Sequence, residues 1–352
     1  MTYSIPTIHK KIFAIAAPIM VSSISTPLLG IVDSAVMGHM PNSSYLAGIA
    51  LGSMLISTIF WLCNFIRMSS TGLIAQAYGR NEPDEILTLL IQAIFIALFT
   101  SLIILLLYQP ILTLLFPFIQ SSEHTALYAQ EYFNIRIFSA PAVLTNFALF
   151  GYFIGVQNGK TPMVLLIITN VINIVLNILF VFGFDWGVPG VAWASLIADY
   201  LALLLGLYFV SPILIVFFKH INVRKTIKQI LEIAKLKKFL LLGRDIFFRS
   251  LLLQAVFIFM TLQGVKLGDN IASANAVLLN FFLVFAFALD GLAYAAESLV
   301  GKEVGRRNEK DLHSTVKIVM SFAGVMSIAL IVLFTFLGEW FIAQITTLES
   351  VR

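Results

Sequence analysis

The sequence predicts an all-α polytopic membrane protein built from two parallel six-helix repeats, with about nine of about twelve transmembrane helices present. Three observations support this prediction: an apolar composition, a series of long apolar stretches, and a block of sequence that occurs twice. Hydrophobic residues make up 59% of the 352 residues and charged residues 11%, whereas a soluble domain is about 45–50% apolar and a quarter charged. One soluble core cannot bury so much apolar surface, so the surroundings must be lipid.

Apolar stretches long enough to cross a bilayer, which takes about 20 helical residues, occur about nine times along the chain. Some exceed that length, which helix tilt accommodates. The stretches cover roughly residues 12–37, 45–70, 86–115, 128–155, 162–183, 189–218, 241–264, 271–298 and 313–343.

Positively charged residues are distributed unequally between the two sides of these spans. Cytoplasmic segments are enriched in Lys and Arg, so we expect a cytoplasmic N-terminus. The net charge of +4 is small and gives no reason to expect a nucleic-acid partner. With this orientation, the outer segments contain only Lys266 and Arg352, while the inner segments contain Lys10, Lys11, Arg80, Lys160, the basic run 219–238, Lys302, Arg306, Arg307 and Lys310.

A basic segment at residues 219–240 separates the two predicted repeats. Its apolar residues recur at near-helical spacing with lysines between them, which predicts an amphipathic helix on the inner membrane surface; a plain basic loop is the alternative. We therefore divide the chain into a first repeat of six helices (1–218), a connector (219–240) and the start of a second repeat (241–352). Because six is an even number, both repeats begin on the same side of the membrane and are parallel.

The block that occurs twice supports the same division. Its copies are Asn64–Ile86 and Leu289–Leu312, and Gly79 aligns with Gly305 at an offset of 226 residues, the difference between those two numbers. The alignment then continues after one inserted arginine, so that Asn81 matches Asn308. A second repeat as long as the first would extend to about residue 450, so we expect this chain to hold only the first three helices of the second repeat.

An acidic residue in the first apolar stretch is the sharpest functional candidate. Asp33 has no cation within a helical turn, and an ionisable side chain in hydrocarbon is costly enough to indicate a function. A carboxyl group there suits the uptake and release of a proton or a small cation; an interface residue wetted by outside water is the alternative. Pro18 and Pro27 each remove a backbone hydrogen bond from this stretch, so they either let the helix bend between two states or fix a static kink.

Polar residues on the fifth and sixth stretches form a second group of candidates. Asn170, Asn173 and Asn177 are spaced by three and four residues, which puts them on one helix face, directed into the bundle or a wet cavity. Ser195 and Asp199 form a similar pair on the next helix. The alternative is that these groups only join helices by hydrogen bonds.

Charged residues also occur in the fourth and eighth stretches. For Arg136 we expect structural pairing with a carboxylate across the bundle. Asp290 and Glu297 are separated by two helical turns and lie on one face. They are polar candidates in the second repeat, and we expect them to be short of neighbours in this chain.

Motifs of membrane-embedded enzymes are missing from the sequence. It contains no HExxH, P-loop or GxSxG pattern, and its one cysteine and five histidines show no metal-ligand spacing. We therefore expect a non-enzymatic transporter without a bound cofactor, driven by a gradient of H⁺ or Na⁺ rather than by ATP.

Several short motifs together resemble the multidrug and toxic compound extrusion (MATE) family, within the wider flippase-like superfamily. APIM at residues 17–20 with GIVDSAVMGHM at 30–40 is similar to the family's first-helix pattern of proline and aspartate. NGKTP at 158–162, NVINIVLN at 170–177 and GVPGVAWAS at 187–195 resemble its fifth and sixth helices. Three further stretches resemble the DinF-type bacterial branch of the family, namely GRDIFFRSLLLQ at 243–254, ANAVLLNFF at 274–282 and ALDGLAYAAESLVG at 288–301.

The resemblance implies a twelve-helix antiporter with a central cavity, in which entry of H⁺ or Na⁺ drives efflux of amphipathic, usually cationic organic compounds. By motif, Asp33, Asn173 and Ser195 occupy the positions of the family's amino-terminal polar network. Two positions depart from it: Asn177 stands where some relatives have a second acid, and Leu29 where some have tyrosine. Coupling would then depend more heavily on Asp33, with Asp199 as a possible substitute for the lost acid.

Three other functions are weighed against such an exporter. A lipid-linked oligosaccharide flippase would need a cationic cavity for a pyrophosphate, whereas the charges at membrane depth include several acids and the basic residues lie mostly at the inner edge. A membrane enzyme is disfavoured by the missing motifs. A fragment that does not transport follows from the expected incomplete second repeat.

The predicted orientation can be tested with an impermeant thiol reagent in intact cells. On a Cys63→Ser background, we expect a cysteine placed at Asn42 to be labelled and one at Thr226 to be protected, because the Lys and Arg distribution puts only residue 42 outside. Labelling at residue 226 without labelling at residue 42 would reject the orientation.

Overall fold

The computed structural model describes residues 5–38, 43–115, 122–220, 232–267 and 269–345. These residues form α-helices joined by short turns, and no strand occurs among them. A short 3₁₀ segment (Ile137–Ser139) and a π-helical turn (Leu179–Gly183) are the other helical elements. The helices are α1 (Ile5–Gly38), α2 (Ser43–Leu62), α3 (Phe65–Arg80), α4 (Pro83–Leu115), α5 (Glu123–Arg136), α6 (Ala140–Gly155), α7 (Lys160–Ile178), α8 (Gly187–His220), α9 (Ile233–Leu267), α10 (Asp269–Arg306) and α11 (Glu309–Ile345).

Most of these helices are long and apolar enough to cross a membrane. Within the described ranges, 8 candidate spans are found between Ser44 and Gly338, and α1 precedes them with 34 residues. Large side chains such as Leu106 and Phe336 are 69% and 80% exposed, as expected for surfaces that face lipid. The prediction of an all-α polytopic membrane protein is confirmed.

The connector differs in extent from the sequence-based prediction. Helix α8 continues to His220 and α9 begins at Ile233, so residues 233–240 are continuous with the seventh span. Residues 221–231, which make up half of the predicted connector, lie outside the described part of the chain.

The two Gly-Arg loops have the same backbone geometry at a constant offset of 226 residues. Asn81 and Arg307 both adopt left-handed conformations, with φ of 58° and 54°. The next amides, of Glu82 and Asn308, donate to the carbonyls of Ala77 and Glu303 at 3.2 and 3.3 Å, which closes each helix with the same turn. The inserted arginine in the sequence alignment was therefore wrong: Asn308 matches Glu82, because the repeat preserves the backbone turn and not the side chains.

The main apolar core lies within the first repeat. Helices α2, α3, α4, α6 and α8 contribute fully buried residues to it, including Ile66, Ile74, Leu90, Leu144 and Leu149. A second cluster joins α1 to α10 and α11 through Ile12, Ile15, Leu292, Leu299 and Val319. Contact between the repeats therefore includes a continuous apolar seam beside α1.

Helices α3 and α10 cross at close range through glycine. A Cβ atom on Gly79 would collide with the Lys302 carbonyl, and one on Gly305 would collide with the Gln76 carbonyl. The two contacts are reciprocal, because Lys302 and Gln76 are also related by the 226-residue offset. Gly301 lies against Ala75, its own repeat equivalent, with 2.8 Å between their Cβ positions. A pseudo-two-fold axis therefore passes through this contact.

Adding a methyl group should distinguish the crossing glycines from an uncrowded glycine on the same helix. We expect Gly79→Ala and Gly305→Ala each to destabilise the protein by about 1–3 kcal/mol, because the helices must separate to admit the Cβ atom. Nothing lies within 4 Å of a Cβ atom on Gly72, so Gly72→Ala should be neutral or stabilise by about 0.5–1 kcal/mol. Thermal unfolding in detergent measures both, and a melting temperature unchanged in Gly305→Ala would contradict the crossing.

Candidate functional site

Three of the predicted polar residues form one buried hydrogen-bonded chain between α7 and α8. The Asn173 amide donates to the Ser195 hydroxyl at 2.8 Å, and the Asn177 amide donates to the Asn173 carbonyl oxygen at 2.9 Å. Asn173, Asn177 and Ser195 are all buried, as is Asn170 on the same face of α7. We call Asn173, Asn177 and Ser195 the amide cluster.

The far end of α1 is anchored beside the amide cluster. Val36 is buried in an apolar cluster with Val181, Val188 and Val191, which follow α7 and begin α8. Residue 33 precedes Val36 by about one helical turn, just as residue 177 precedes Val181. The helical position of Asp33 is therefore at the level of the amide cluster.

The side chains of Asp33 and Pro27 lie outside the described residues, as does that of Leu29. Helix α1 runs without interruption through both proline positions, and Pro18 is half-buried.

Asp199 belongs to a different interaction from the one predicted for it. Its carboxylate forms an ion pair with Arg136 of α5 at 2.5 Å, and its backbone carbonyl accepts a hydrogen bond from Asn146 at 3.2 Å. A carboxylate at membrane depth requires a cation or donors, and α5 supplies the guanidinium one turn away from the amide cluster on α8. Asp199 therefore pairs with Arg136, and the structural pairing expected for Arg136 is present.

Glu297 pairs with an arginine, Arg67, that was not among the predicted polar residues. Arg67 of α3 donates to the Glu297 carboxylate at 3.1 Å and to the Asn64 side chain at 3.0 Å. Its guanidinium lies 4.2 Å from the centre of the Tyr294 ring, a cation–π contact, and is close enough to Asp290 for electrostatic interaction. The expectation that Asp290 and Glu297 lack neighbours was wrong, because α3 of the first repeat carries the missing cation. Arg67 could have been singled out, since arginine is as costly as an acid within a span.

In the described part of the chain, the two arginines buried at membrane depth are thus each neutralised by a carboxylate. Arg67 and Arg136 have only 6% and 14% of their side-chain surfaces exposed. Each pair holds charges of opposite sign inside the bundle, which avoids an uncompensated buried charge. The amide cluster carries no formal charge, and its amide and hydroxyl oxygens are ligands suited to a hard cation such as Na⁺ or partners for a protonated carboxyl group.

The MatE family profile matches residues 18–179 and 246–351 of the chain. DNA damage-inducible protein F of Escherichia coli (strain K12) is 38% identical over 346 residues, covering 97% of this chain and 74% of that protein. Probable multidrug resistance protein NorM of Bacillus anthracis is 24% identical over 306 residues, covering 85% of this chain and 66% of that protein. The chain therefore spans about two thirds to three quarters of the length of these relatives.

Solved structures share the same fold. An outward-facing multidrug resistance MATE family transporter of the MOP superfamily superposes with a TM-score of 0.80 at 19% identity, covering 93% of this chain and 72% of that one. A MOP superfamily transporter from Pyrococcus furiosus superposes with a TM-score of 0.83 at 19% identity, covering 98% and 75%. With its profile match, its 38% identical relative and its transmembrane helices, the chain is a multi-pass membrane protein that belongs to the MatE family.

Proposed function

We propose that the protein is a secondary active antiporter that exports amphipathic, cationic drugs or metabolites in exchange for protons or sodium ions. The protein would lie in the cytoplasmic membrane of a bacterium. Its N-terminus would be inside the cell, in keeping with the distribution of Lys and Arg residues. The observation that carries the proposal is the buried, uncharged amide cluster, which is level with residue 33 of α1.

The amide cluster is suited to ion coupling because it offers amide and hydroxyl groups and carries no formal charge of its own. A carboxylate that is not paired with an arginine or lysine can be neutralised by binding a proton or a metal cation. The carboxylates of Asp199 and Glu297 are already neutralised by arginines. Asp33 is the acid of α1 at the level of the cluster, and α1 packs against α7. We propose that Asp33 takes up the coupling ion and that the amide cluster supplies neutral oxygen and amide partners to it.

The proposed substrate class follows from the relatives and from charge. One relative is named as a probable multidrug resistance protein, and a structural neighbour as a multidrug resistance transporter. A carboxylate that is emptied of its ion attracts a cationic compound, so ion and substrate would compete for the same negative charge.

A lipid-linked oligosaccharide flippase is the second candidate, and the described charges weigh against it. A pyrophosphate needs unpaired basic groups at membrane depth. The two described arginines that are deeply buried, Arg67 and Arg136, are each committed to a carboxylate.

Neutralising Asp33 should abolish coupling without preventing folding. We expect Asp33→Asn to lose proton- or sodium-driven export of a lipophilic cationic dye, because an amide cannot release a proton or balance a cation. Membrane insertion and expression should stay close to those of the parent. Efflux is followed as dye fluorescence in everted vesicles under an imposed ion gradient.

The matched control for Asp33→Asn is Asp185→Asn. Asp185 is exposed in the turn after α7 and adopts a left-handed conformation, with φ of 54°, that asparagine tolerates well. Export should be retained in the control. Undiminished export by Asp33→Asn would sink the assignment of Asp33.

Removing the central member of the amide cluster should weaken ion use. We expect Asn173→Leu to cost about 1–3 kcal/mol in stability, because Ser195 and Asn177 each lose a buried partner, and to raise the ion concentration that half-saturates efflux. Thr169→Val on the same helix removes only a bond to the Leu165 carbonyl and should leave that concentration unchanged. Equal half-saturation in Asn173→Leu and the parent would remove the cluster from the proposed site.

A further inference from the structure

The two repeats are in contact along one half of α10. The described positions of α10 from Ile271 to Asp290 are exposed or half-buried, whereas buried positions begin at Gly291 and recur to Gly305. The Gly-Arg loop follows at the end of this buried half. The repeats are therefore closed against each other on the side of the two Gly-Arg loops, which is the cytoplasmic side under the predicted orientation.

Packing accounts for most of this closed half and follows the repeat symmetry. Gly291 lies against Ala16 and Met20 of α1, and its repeat equivalent Phe65 lies against Gly243 of α9. Together with the crossing at Ala75 and Gly301, these contacts form two matched halves of one interface. Such packing has no charge and can separate and close again without a large electrostatic penalty.

The ion pair of Arg67 and Glu297 breaks this symmetry. At the 226-residue offset, the equivalent of Arg67 is Ala293 and that of Glu297 is Thr71. A symmetric interface would form an ion pair twice, and here its counterpart position holds a methyl group and a hydroxyl group. The pair is therefore an addition to the packing interface, placed in the closed half and enclosed by Tyr294 and Asn64.

Burial makes the pair sensitive to separation of the repeats. In the closed arrangement the two side chains are 6% and 22% exposed. Loss of Glu297 would remove the carboxylate bonded to Arg67 and leave Asp290 as the nearby acid without a hydrogen bond to it, which disfavours burial of the Arg67 charge. If the repeats separate, water reaches both groups, and an ion pair in water contributes little. Closure of the repeats is therefore compatible with these buried charges only when both are present and paired.

The interface around this ion pair also contains a buried hydroxyl group that is not hydrogen-bonded to any described group. The Ser69 hydroxyl lies 3.5 Å from the position of a Cβ atom on Gly243 of the second repeat, is buried, and has no hydrogen-bond partner among the described groups. A buried hydroxyl without a partner costs free energy that water would return on opening. An interface with such a group is suited to release.

We propose that the Arg67–Glu297 pair is a latch that holds the repeats closed on the side of the Gly-Arg loops and must break for the transporter to open there. Arg67 and Glu297 are positioning residues in this role, since they act on the relation between the repeats. The latch exists in the protein without any substrate or ion gradient. Its part in a transport cycle rests on the proposed antiport, because transporters with two repeats work by movement of one repeat against the other.

The latch can be tested by a distance measured across the closed side. Asp84 and Lys310 are exposed residues in the first turns of α4 and α11, and they are equivalent at the same offset. Spin labels on cysteines at these two positions, on a Cys63→Ser background, report the separation by pulsed electron resonance in lipid nanodiscs. No substrate or ion gradient is applied, so the result does not depend on whether the protein exports anything.

We expect Glu297→Gln to increase the population at longer distance at least about tenfold, because the buried Arg67 charge loses the carboxylate bonded to it, which strongly disfavours closure. The exchange of both charges, Arg67→Glu with Glu297→Arg, should return the distance distribution towards that of the parent. A role in packing alone predicts no such return, since the exchanged side chains differ in shape from the originals.

The matched control is Asp199→Asn, which breaks the other buried arginine pair, inside the first repeat. It should lower thermal stability and leave the distance across the closed side unchanged. An unchanged distribution in Glu297→Gln, an equal shift in Asp199→Asn, or a charge-exchanged protein that elutes as a folded monodisperse species and stays at long distance would each overturn the latch.

Discussion

Hydrocarbon offers no hydrogen-bond partner, so every polar group at membrane depth must be satisfied by another part of the protein. This constraint explains why the chain is helical and also where its helices meet. Arg136 joins α5 to α8 through Asp199, Asn173 joins α7 to α8 through Ser195, and Arg67 joins α3 to α10 through Glu297. Each of these three polar contacts fixes a particular pair of neighbouring helices.

The three polar contacts differ in whether their members could interact with an ion that arrives from outside. The two arginine pairs are self-contained: each charge has its opposite, and neither member gains from an outside ion. The amide cluster is neutral and lies level with an acid on a neighbouring helix, so an arriving cation would meet oxygen ligands there. This difference separates groups that hold the bundle together from a group suited to a changing occupant, although all are polar residues in apolar helices.

Local sequence patterns predicted the helices and the shared face of three asparagines well. The spacing of Asn170, Asn173 and Asn177 was enough to place them on one face, because helical periodicity is a local property. Partners from distant helices were not predictable in this way. Nothing in the sequence near Asp199 or Glu297 identifies Arg136 or Arg67 as the partner, since the contacts join residues 63 and 230 positions apart. The position of the repeat loop was also misjudged, because side-chain identity at Asn308 suggested a shift that the backbone does not make.

The reciprocal glycine crossing has a consequence for how such a chain can change over generations. On a two-fold axis a residue meets its own copy, so in a freshly duplicated gene one substitution alters both sides of the contact at once. Two large side chains cannot both occupy that point, and Ala75 with Gly301 is among the smallest combinations available. A charged residue on the axis would be unfavourable, because it would meet a copy of itself with the same sign of charge and repel it. Away from the axis two identical repeats could form an ion pair twice, but here the contact of Arg67 with Glu297 occurs once, because Ala293 and Thr71 stand at the equivalent positions.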